Sequence, residues 1–190
     1  MEKKKIIIVI GIIILTILGI LAFILLNRKY PYEDENTLYF KEFNNTILRL
    51  ERVDYSLGQN QVVIVQKSTN RGKSFEDITK EPIILSMEPK VTFLNEKLGF
   101  LLAKSNLTKN NNYLGLYITK DGGKTFENCK INYNNSNIEM LTIVSTPFYD
   151  NDILKMEASI YIVKEDQSGY ENKKLIFISD DKGLSWKMEK

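Results

Sequence analysis

The 190-residue sequence contains no histidine. That excludes Ser-His-Asp and Cys-His catalysis, histidine general bases and histidine metal ligands within this chain. It contains one cysteine, Cys129, so no intrachain disulfide can form. Cys129 lies two residues after Glu127 in an alternating stretch and reads as a small buried side chain. Arginine is scarce: Arg28, Arg49, Arg52 and Arg71 are the whole set. There is no phosphate-binding glycine loop and no cysteine pair for a metal. Asp150-Asn151-Asp152 and Glu165-Asp166 lack the alternating oxygens and central glycine of a calcium loop, and read as solvated loop ends. No cofactor and no metal site is expected.

Charge is also unevenly placed. The chain carries +2 overall, with a pI near 8.4. Residues 1–29 hold Lys3, Lys4, Lys5, Arg28 and Lys29 against Glu2, so the remainder carries −2. The basic character belongs to the flanks of an apolar run and makes no case for a nucleic-acid partner.

That run is Ile6 to Leu26, 21 residues without a charge. At about 1.5 Å per residue a helix of this length reaches about 30 Å, enough to cross a hydrocarbon core. A cleaved signal peptide would have a shorter apolar run, about 7–15 residues, and an Ala-x-Ala-like cleavage site. The run instead closes Ala22-Phe23-Ile24-Leu25-Leu26-Asn27, and no cysteine follows to carry a lipid. The sequence predicts an uncleaved signal anchor: a cytoplasmic stub and transmembrane helix over 1–29 (helix 6–26). A polar linker at 30–36 and an extracytoplasmic domain at 37–190 follow. Lys3 to Lys5 outnumber Arg28 and Lys29, which places the N-terminus inside. The expected location is the cell membrane, single-pass. Gly11 and Gly19 are eight apart, not four, and read as lipid-facing filler rather than a helix-pairing surface.

Beyond the linker the pattern is extended throughout. Expected strands are Leu38–Phe43, Ile47–Tyr55, Gln61–Lys67 and Phe75–Thr79. Val91–Leu94, Phe100–Ala103, Tyr113–Thr119 and Phe126–Ile131 follow. The last are within Met140–Ser145, Leu154–Val163, Leu175–Ser179 and Trp186–Met188. Ser105–Asn112 reads as a loop, and Ile138–Leu141 has room for one helical turn. Val62-Val63-Ile64-Val65 looks buried on both faces.

One eight-residue turn recurs three times: Ser68-Thr69-Asn70-Arg71-Gly72-Lys73-Ser74-Phe75, Thr119-Lys120-Asp121-Gly122-Gly123-Lys124-Thr125-Phe126, and Ser179-Asp180-Asp181-Lys182-Gly183-Leu184-Ser185-Trp186. The separations are 51 and 60 residues. A signal recurring at such spacing indicates a repeat architecture, and four-stranded units of this size are propeller blades. The units expected are 37–80, 81–131 and 132–190, with the turn between the third and fourth strand of each. In each turn the Asx side chain can accept backbone N–H bonds, and Gly123 and Gly183 suit positive φ.

These turns resemble the Asp-boxes, or BNR repeats, of sialidase, sortilin and Ycf48-like photosystem assembly-factor propellers. The second unit is the most similar, through Val91-x-Phe93, Leu98-Gly99-Phe100 and Tyr117 to Phe126. Asn70 stands in place of Asp, and Phe75 and Phe126 in place of the usual Trp. The resemblance implies an all-β, propeller-like fold of about three blades in which Ser68, Asn70, Gly72, Ser74, Phe75, Thr119, Asp121, Gly123, Thr125, Phe126, Ser179, Asp181, Gly183, Ser185 and Trp186 are structural. A sialidase also needs three convergent arginines. Arg28 flanks the apolar run, Arg71 lies in a turn, and Arg49 and Arg52 point to opposite faces of one strand, so no clamp forms and no catalytic residue is assigned.

Three blades fall short of the usual closed ring of about 4–8. Three outcomes are open: a compact arc, a homodimer completing six blades, or a shortened relative of a longer propeller. Leu38–Phe43 and Trp186–Met188 are expected as open edges. The reading is a membrane-anchored, non-enzymatic scaffold for an envelope or membrane protein, with Tyr113, Tyr133, Tyr149 and Tyr170 as interface anchors. The alternative is a carbohydrate-binding protein or a degenerate sialidase-like glycosidase.

Overall fold

The computed structural model describes residues 13–21, 33–56, 60–85, 89–104, 106–108, 115–132, 138–164 and 169–189. The chain divides into two compact units, Met1–Glu33 and Asp34–Lys190. In the first, residues 13–21 form a helix whose seven large apolar side chains, from Ile13 to Leu21, are each at least half exposed. They cover more than half of the helix circumference, wider than the single stripe of an amphipathic surface helix, with Thr16 and Gly19 on the remaining side. Among the described residues no helix is long and apolar enough to cross a membrane. The remainder of the expected 6–26 span, with its charged flanks, lies outside the described residues.

The second unit is built of strands. The first sheet contains β1 (Thr37–Phe43), β2 (Thr46–Ser56), β3 (Asn60–Ser68), β4 (Glu76–Asp77) and β5 (Ile83–Leu85). β4 and β5 both pair with β3 and lie end to end along it. Between them the Ile78 N–H donates to the Val65 carbonyl at 3.0 Å. The sheet is thus a four-stranded antiparallel meander with a broken fourth strand. The first repeat therefore runs to Leu85, beyond the expected boundary at 80.

The second sheet has β6 (Lys90–Phe93), β7 (Gly99–Lys104), β9 (Gly115–Thr119) and β10 (Glu127–Asn128), again in meander order. The third has β12 (Ile138–Ile143), β14 (Ile153–Val163), β15 (Tyr170–Ser179) and β16 (Ser185–Met188), with β13 (Phe148–Asp150) pairing with the start of β14. Ile138–Leu141 is thus strand, not a helical turn.

Two further strands tie the second sheet to the third. β8 (Asn106–Thr108), inside the stretch expected as loop, pairs antiparallel with β12. β11 (Lys130–Asn132) pairs parallel with β16. The expected continuous strand Phe126–Ile131 breaks at Cys129 for this reason. The Cys129 N–H donates back to Leu116 in the second sheet at 2.9 Å, and the next N–H, of Lys130, donates to Leu184 of the third at 2.8 Å. The chain changes sheets between two residues. The edge at Trp186–Met188, expected open, is taken by β11.

Two apolar cores separate the three sheets. Leu48, Leu50, Val63 and Val65 of the first sheet meet Phe93, Leu101 and Ala103 of the second. Phe100, Leu102, Leu116 and Ile118, on the other face of the second sheet, meet Leu141, Leu154, Met156, Phe177 and Trp186 of the third. Adjacent residues of β7 thus serve opposite cores, as strand alternation requires. That is why 98–103 and 115–119 read as nearly unbroken apolar runs: both faces of the middle sheet are buried. Each fully buried Leu, Ile or Phe side chain contributes about 1.5–3 kcal/mol. Phe100 and Trp186 meet edge-to-face across the second core, with ring centroids 6.0 Å apart and planes at 69°.

Candidate functional site: the three turns

The three turns join the third and fourth strand of each sheet, following β3, β9 and β15. They share one hydrogen-bond plan. The opening hydroxyl accepts the N–H of the glycine four residues on: Gly72 to Ser68 at 2.9 Å, Gly123 to Thr119 at 2.7 Å, Gly183 to Ser179 at 2.7 Å. The same hydroxyl donates to the Asx oxygen at 2.8–2.9 Å. That oxygen also accepts the N–H of Ser74, Thr125 or Ser185 at 3.0, 3.0 and 2.8 Å. The side chain of the third residue therefore closes the loop from inside.

The last bond differs in direction. The Thr125 and Ser185 hydroxyls donate to the second oxygen of Asp121 and Asp181 at 2.7 and 2.6 Å. In the first turn the Asn70 Nδ2 donates to the Ser74 hydroxyl at 2.8 Å. Asn keeps the geometry by reversing one bond. Burial pushes the Asp121 carboxyl up, but the hydrogen bonds from the Thr125 hydroxyl and amide, the Thr119 hydroxyl and the Lys124 amide hold it below the usual range. Burial opposes in the same way at Asp181, where the Ser185 hydroxyl and amide, the Ser179 hydroxyl and the Leu184 amide bring it down to about 2. Both oxygens of each carboxylate are engaged within its own turn.

Positive φ falls at two successive positions in every turn: Arg71 and Gly72 (60° and 78°), Gly122 and Gly123 (79° and 99°), Lys182 and Gly183 (61° and 94°). The first of these tolerates Arg and Lys, so backbone conformation alone does not demand Gly122. Packing does. A Cβ there would lie 2.6 Å from the Glu96 carbonyl oxygen, and the Gly122 N–H donates to Lys97 at 2.8 Å. The Asn95–Leu98 loop, held by the Asn95 side chain through the Lys97 and Leu98 amides, is pressed against the turn.

Each later turn sits on the sheet before it. A Cβ at Gly123 would lie 2.7 Å from Val65 of the first sheet, and one at Gly183 would lie 2.4 Å from Phe100 of the second. The sixth residue of each turn offers its carbonyl backward: Lys124 accepts from the Lys80 N–H at 3.0 Å, and Leu184 from the Lys130 N–H at 2.8 Å. Gly123 and Gly183 are buried, whereas Gly72 is only half-buried. The aromatic that closes the turn also matters. The Trp186 indole N–H donates to the Gly183 carbonyl at 3.0 Å. Phe126 has no such donor, and the Gly123 carbonyl instead accepts the Thr79 hydroxyl of the first sheet at 2.8 Å.

Each turn seats separately, and Asp121 and Asp181 bond within their own loops. Among the described residues no group of three or more His, Cys, Asp or Glu side chains is arranged to hold a metal ion. Cys129 is buried, and burial pushes its thiol up to about 12. Asp150 pairs with Lys155 at 3.1 Å at a tight β13–β14 turn where Asn151 and Asp152 have positive φ. Tyr149 and Tyr170 are 52% and 66% exposed, while Tyr113, Tyr133, Glu165 and Asp166 lie outside the described residues.

Sequence reasoning missed a charged cluster on the outward face of the first sheet. Arg49 lies 2.5 Å from Glu51 and 3.6 Å from Asp34, with its guanidinium 4.2 Å from the centre of the Phe75 ring. The Arg49 Nε donates to Gln66 at 2.7 Å, and Gln66 donates to Asp77 at 2.7 Å. Burial raises the Glu51 carboxyl against the opposing pull of Arg49. The sequence signal was Arg49 and Glu51 alternating with Leu48 and Leu50 in one strand. No family model matches the chain, and no curated protein matches it.

Proposed function

We propose that this chain is a membrane-anchored, propeller-like module of the Asp-box type whose extracytoplasmic part is a non-enzymatic scaffold for another envelope or membrane protein. The carrying observation is that both oxygens of each turn carboxylate, the most obvious reactive groups, accept hydrogen bonds from their own loop. The anchor reading is supported by a helix at 13–21 that carries no charge and exposes large apolar side chains over more than half of its circumference. The exposed aromatic and aliphatic side chains Tyr55, Ile84, Tyr149, Ile153 and Tyr170 are of the kind that anchor protein interfaces.

The test is site-specific photocrosslinking in the native membrane, with the crosslinker at Tyr149 or Tyr170 and, as control, at Lys182. One discrete partner captured from the tyrosine positions and not from the turn supports the scaffold. The second reading, a carbohydrate-binding or degenerate sialidase-like protein, rests on the turn motif itself. Specific retention on a glycan array, or release of fluorophore from a sialoside, would replace the scaffold with it.

A further inference from the structure

Superposing the sheets on their turns exposes a substitution pattern at equivalent positions. The residue three before each turn is Val65, Leu116 or Ile176, and five before it in the outer sheets are Val63 and Lys174. Their cross-strand partners are Leu50 for Val65, Leu102 for Leu116, Glu157 for Ile176, Arg52 for Val63 and Ser159 for Lys174. One pair further along, Leu48 and Phe100 are matched by Lys155. In the first and second sheets all of these positions except Arg52 fill the core against the following sheet. In the third sheet they lie on the face turned away from the core, because Leu154, Met156, Ala158 and Ile160 point inward. Charge thus enters the equivalent face of the third sheet: Glu157 and Lys174 line a groove of about 520 Å³ with Val144, Ser159 and Ile176, and Lys155 lies two residues from Glu157 along β14.

The opposite end shows the converse. Leu101 and Tyr117 of the second sheet, and Met156 and Phe177 of the third, pair across strands and face the sheet before. The equivalent pair in the first sheet is Arg49 and Gln66, flanked by Glu51. On each face one cation is held by neighbouring groups. Arg49 is held by Glu51, Asp34, Gln66 and the Phe75 ring, and Lys155 lies 3.1 Å from Asp150 and 3.0 Å from Glu189.

We propose that these two charged faces are end caps: they terminate the stack of sheets on both sides, so that neither face takes up a further sheet from a second copy of this chain. Stacked repeats require polar outer faces at their ends. Docking another blade here would strip water from these charged side chains without restoring their hydration. The inference rests on the chemistry of the faces and is independent of what the scaffold binds. It takes the compact arc, rather than the six-bladed homodimer, as the form of the protein, and it leaves strand edges and loops as the partner surfaces.

The test uses the full chain in detergent micelles. Lys73→Cys and Ile176→Cys, in the turn and the face that would meet between two copies, are combined in a Cys129→Ala background. The expected result is no intermolecular disulfide between these positions under oxidation. Removing the cap with Glu157→Leu and Lys174→Val should strengthen self-association between the uncapped third-sheet faces of two copies by about 100-fold, roughly tenfold for each apolar side chain buried. Sedimentation velocity reads that change, and circular dichroism confirms folding. An efficient disulfide between positions 73 and 176 of two copies, with both charged faces intact, overturns the proposal. So does a folded double variant that associates no more than the parent. Should the double variant fail to fold, Lys174→Val alone gives the same readout.

Discussion

The middle sheet and the two outer sheets are built on one plan but live in different solvents. The middle one is buried on both faces, and its strands β7 and β9 are apolar at almost every position. The outer two alternate, with one face in a core and one carrying paired charges. The same turn closes all three, so the turn specifies the hairpin, while burial on one face or two specifies which side chains surround it.

The largest expected difference is in core deletion. Phe100→Ala should cost about 3–5 kcal/mol, because Phe100 is 1% exposed and packs on Trp186 and Gly183. Lys174→Ala, on the outer face of the third sheet, should change stability by no more than about 0.5 kcal/mol. Chemical unfolding of both variants checks this; similar losses would erase the distinction between the sheets.

The second turn offers the next contrast. Gly122→Ala should destabilise by about 1–3 kcal/mol, since it adds positive-φ strain and a clash with the Glu96 carbonyl. Arg71→Gly and Lys182→Gly, at the matching position of the outer turns, should range from neutral to about 1 kcal/mol stabilising. A shift in melting temperature of the same sign in all three variants would refute the packing account of Gly122.

Thr79→Val should cost about 1–3 kcal/mol, because it leaves the Gly123 carbonyl and the Val65 N–H without their partner. Adding Phe126→Trp should recover about 1 kcal/mol by supplying the indole donor that Trp186 gives to Gly183. If the double variant is no more stable than Thr79→Val, the two routes to satisfying that carbonyl are not interchangeable.

The smallest effect is in acid. The Asp181 carboxyl is lowered to about 2 in the fold, against about 3.9 in an unfolded chain. Its contribution is therefore complete above about pH 4 and is lost as pH falls toward 2. Asn70 has no such proton to gain. Asp181→Asn should flatten the stability profile between pH 4 and 2, and Asn70→Asp should steepen it; identical profiles would deny the carboxylates a part in closing the turns.

The hairpins were legible because the turn is a local device. Ser/Thr, Asx and Gly at fixed offsets bond one another whatever surrounds them, so position and strand order followed directly. The two-faced burial of Leu101 and Leu102 was legible for the same reason, as a run without alternation. What lay hidden was non-local. Nothing near Lys130 or Leu107 announces that their strands leave the second sheet for the edges of the third. The role of Gly122 depends on the Glu96 carbonyl, 26 residues earlier in sequence. The cap pattern was written in Arg49, Lys155 and Glu157, but only strand register shows which Leu or Phe each replaces. The helical span at 6–26 was inferred from composition, and only 13–21 of it is described.

The two borrowed strands bear on the order in which the molecule assembles. β8 and β11 come from the middle of the chain and lie along opposite edges of the third sheet. That sheet acquires its full complement of ladder bonds only when the second is already threaded beside it, so the two form as one cooperative block. Among the described residues the first sheet shares side-chain packing and a few hydrogen bonds with this block but no strand. It is the part free to open alone, which makes it the first region to exchange its amide protons and the last to be protected during refolding.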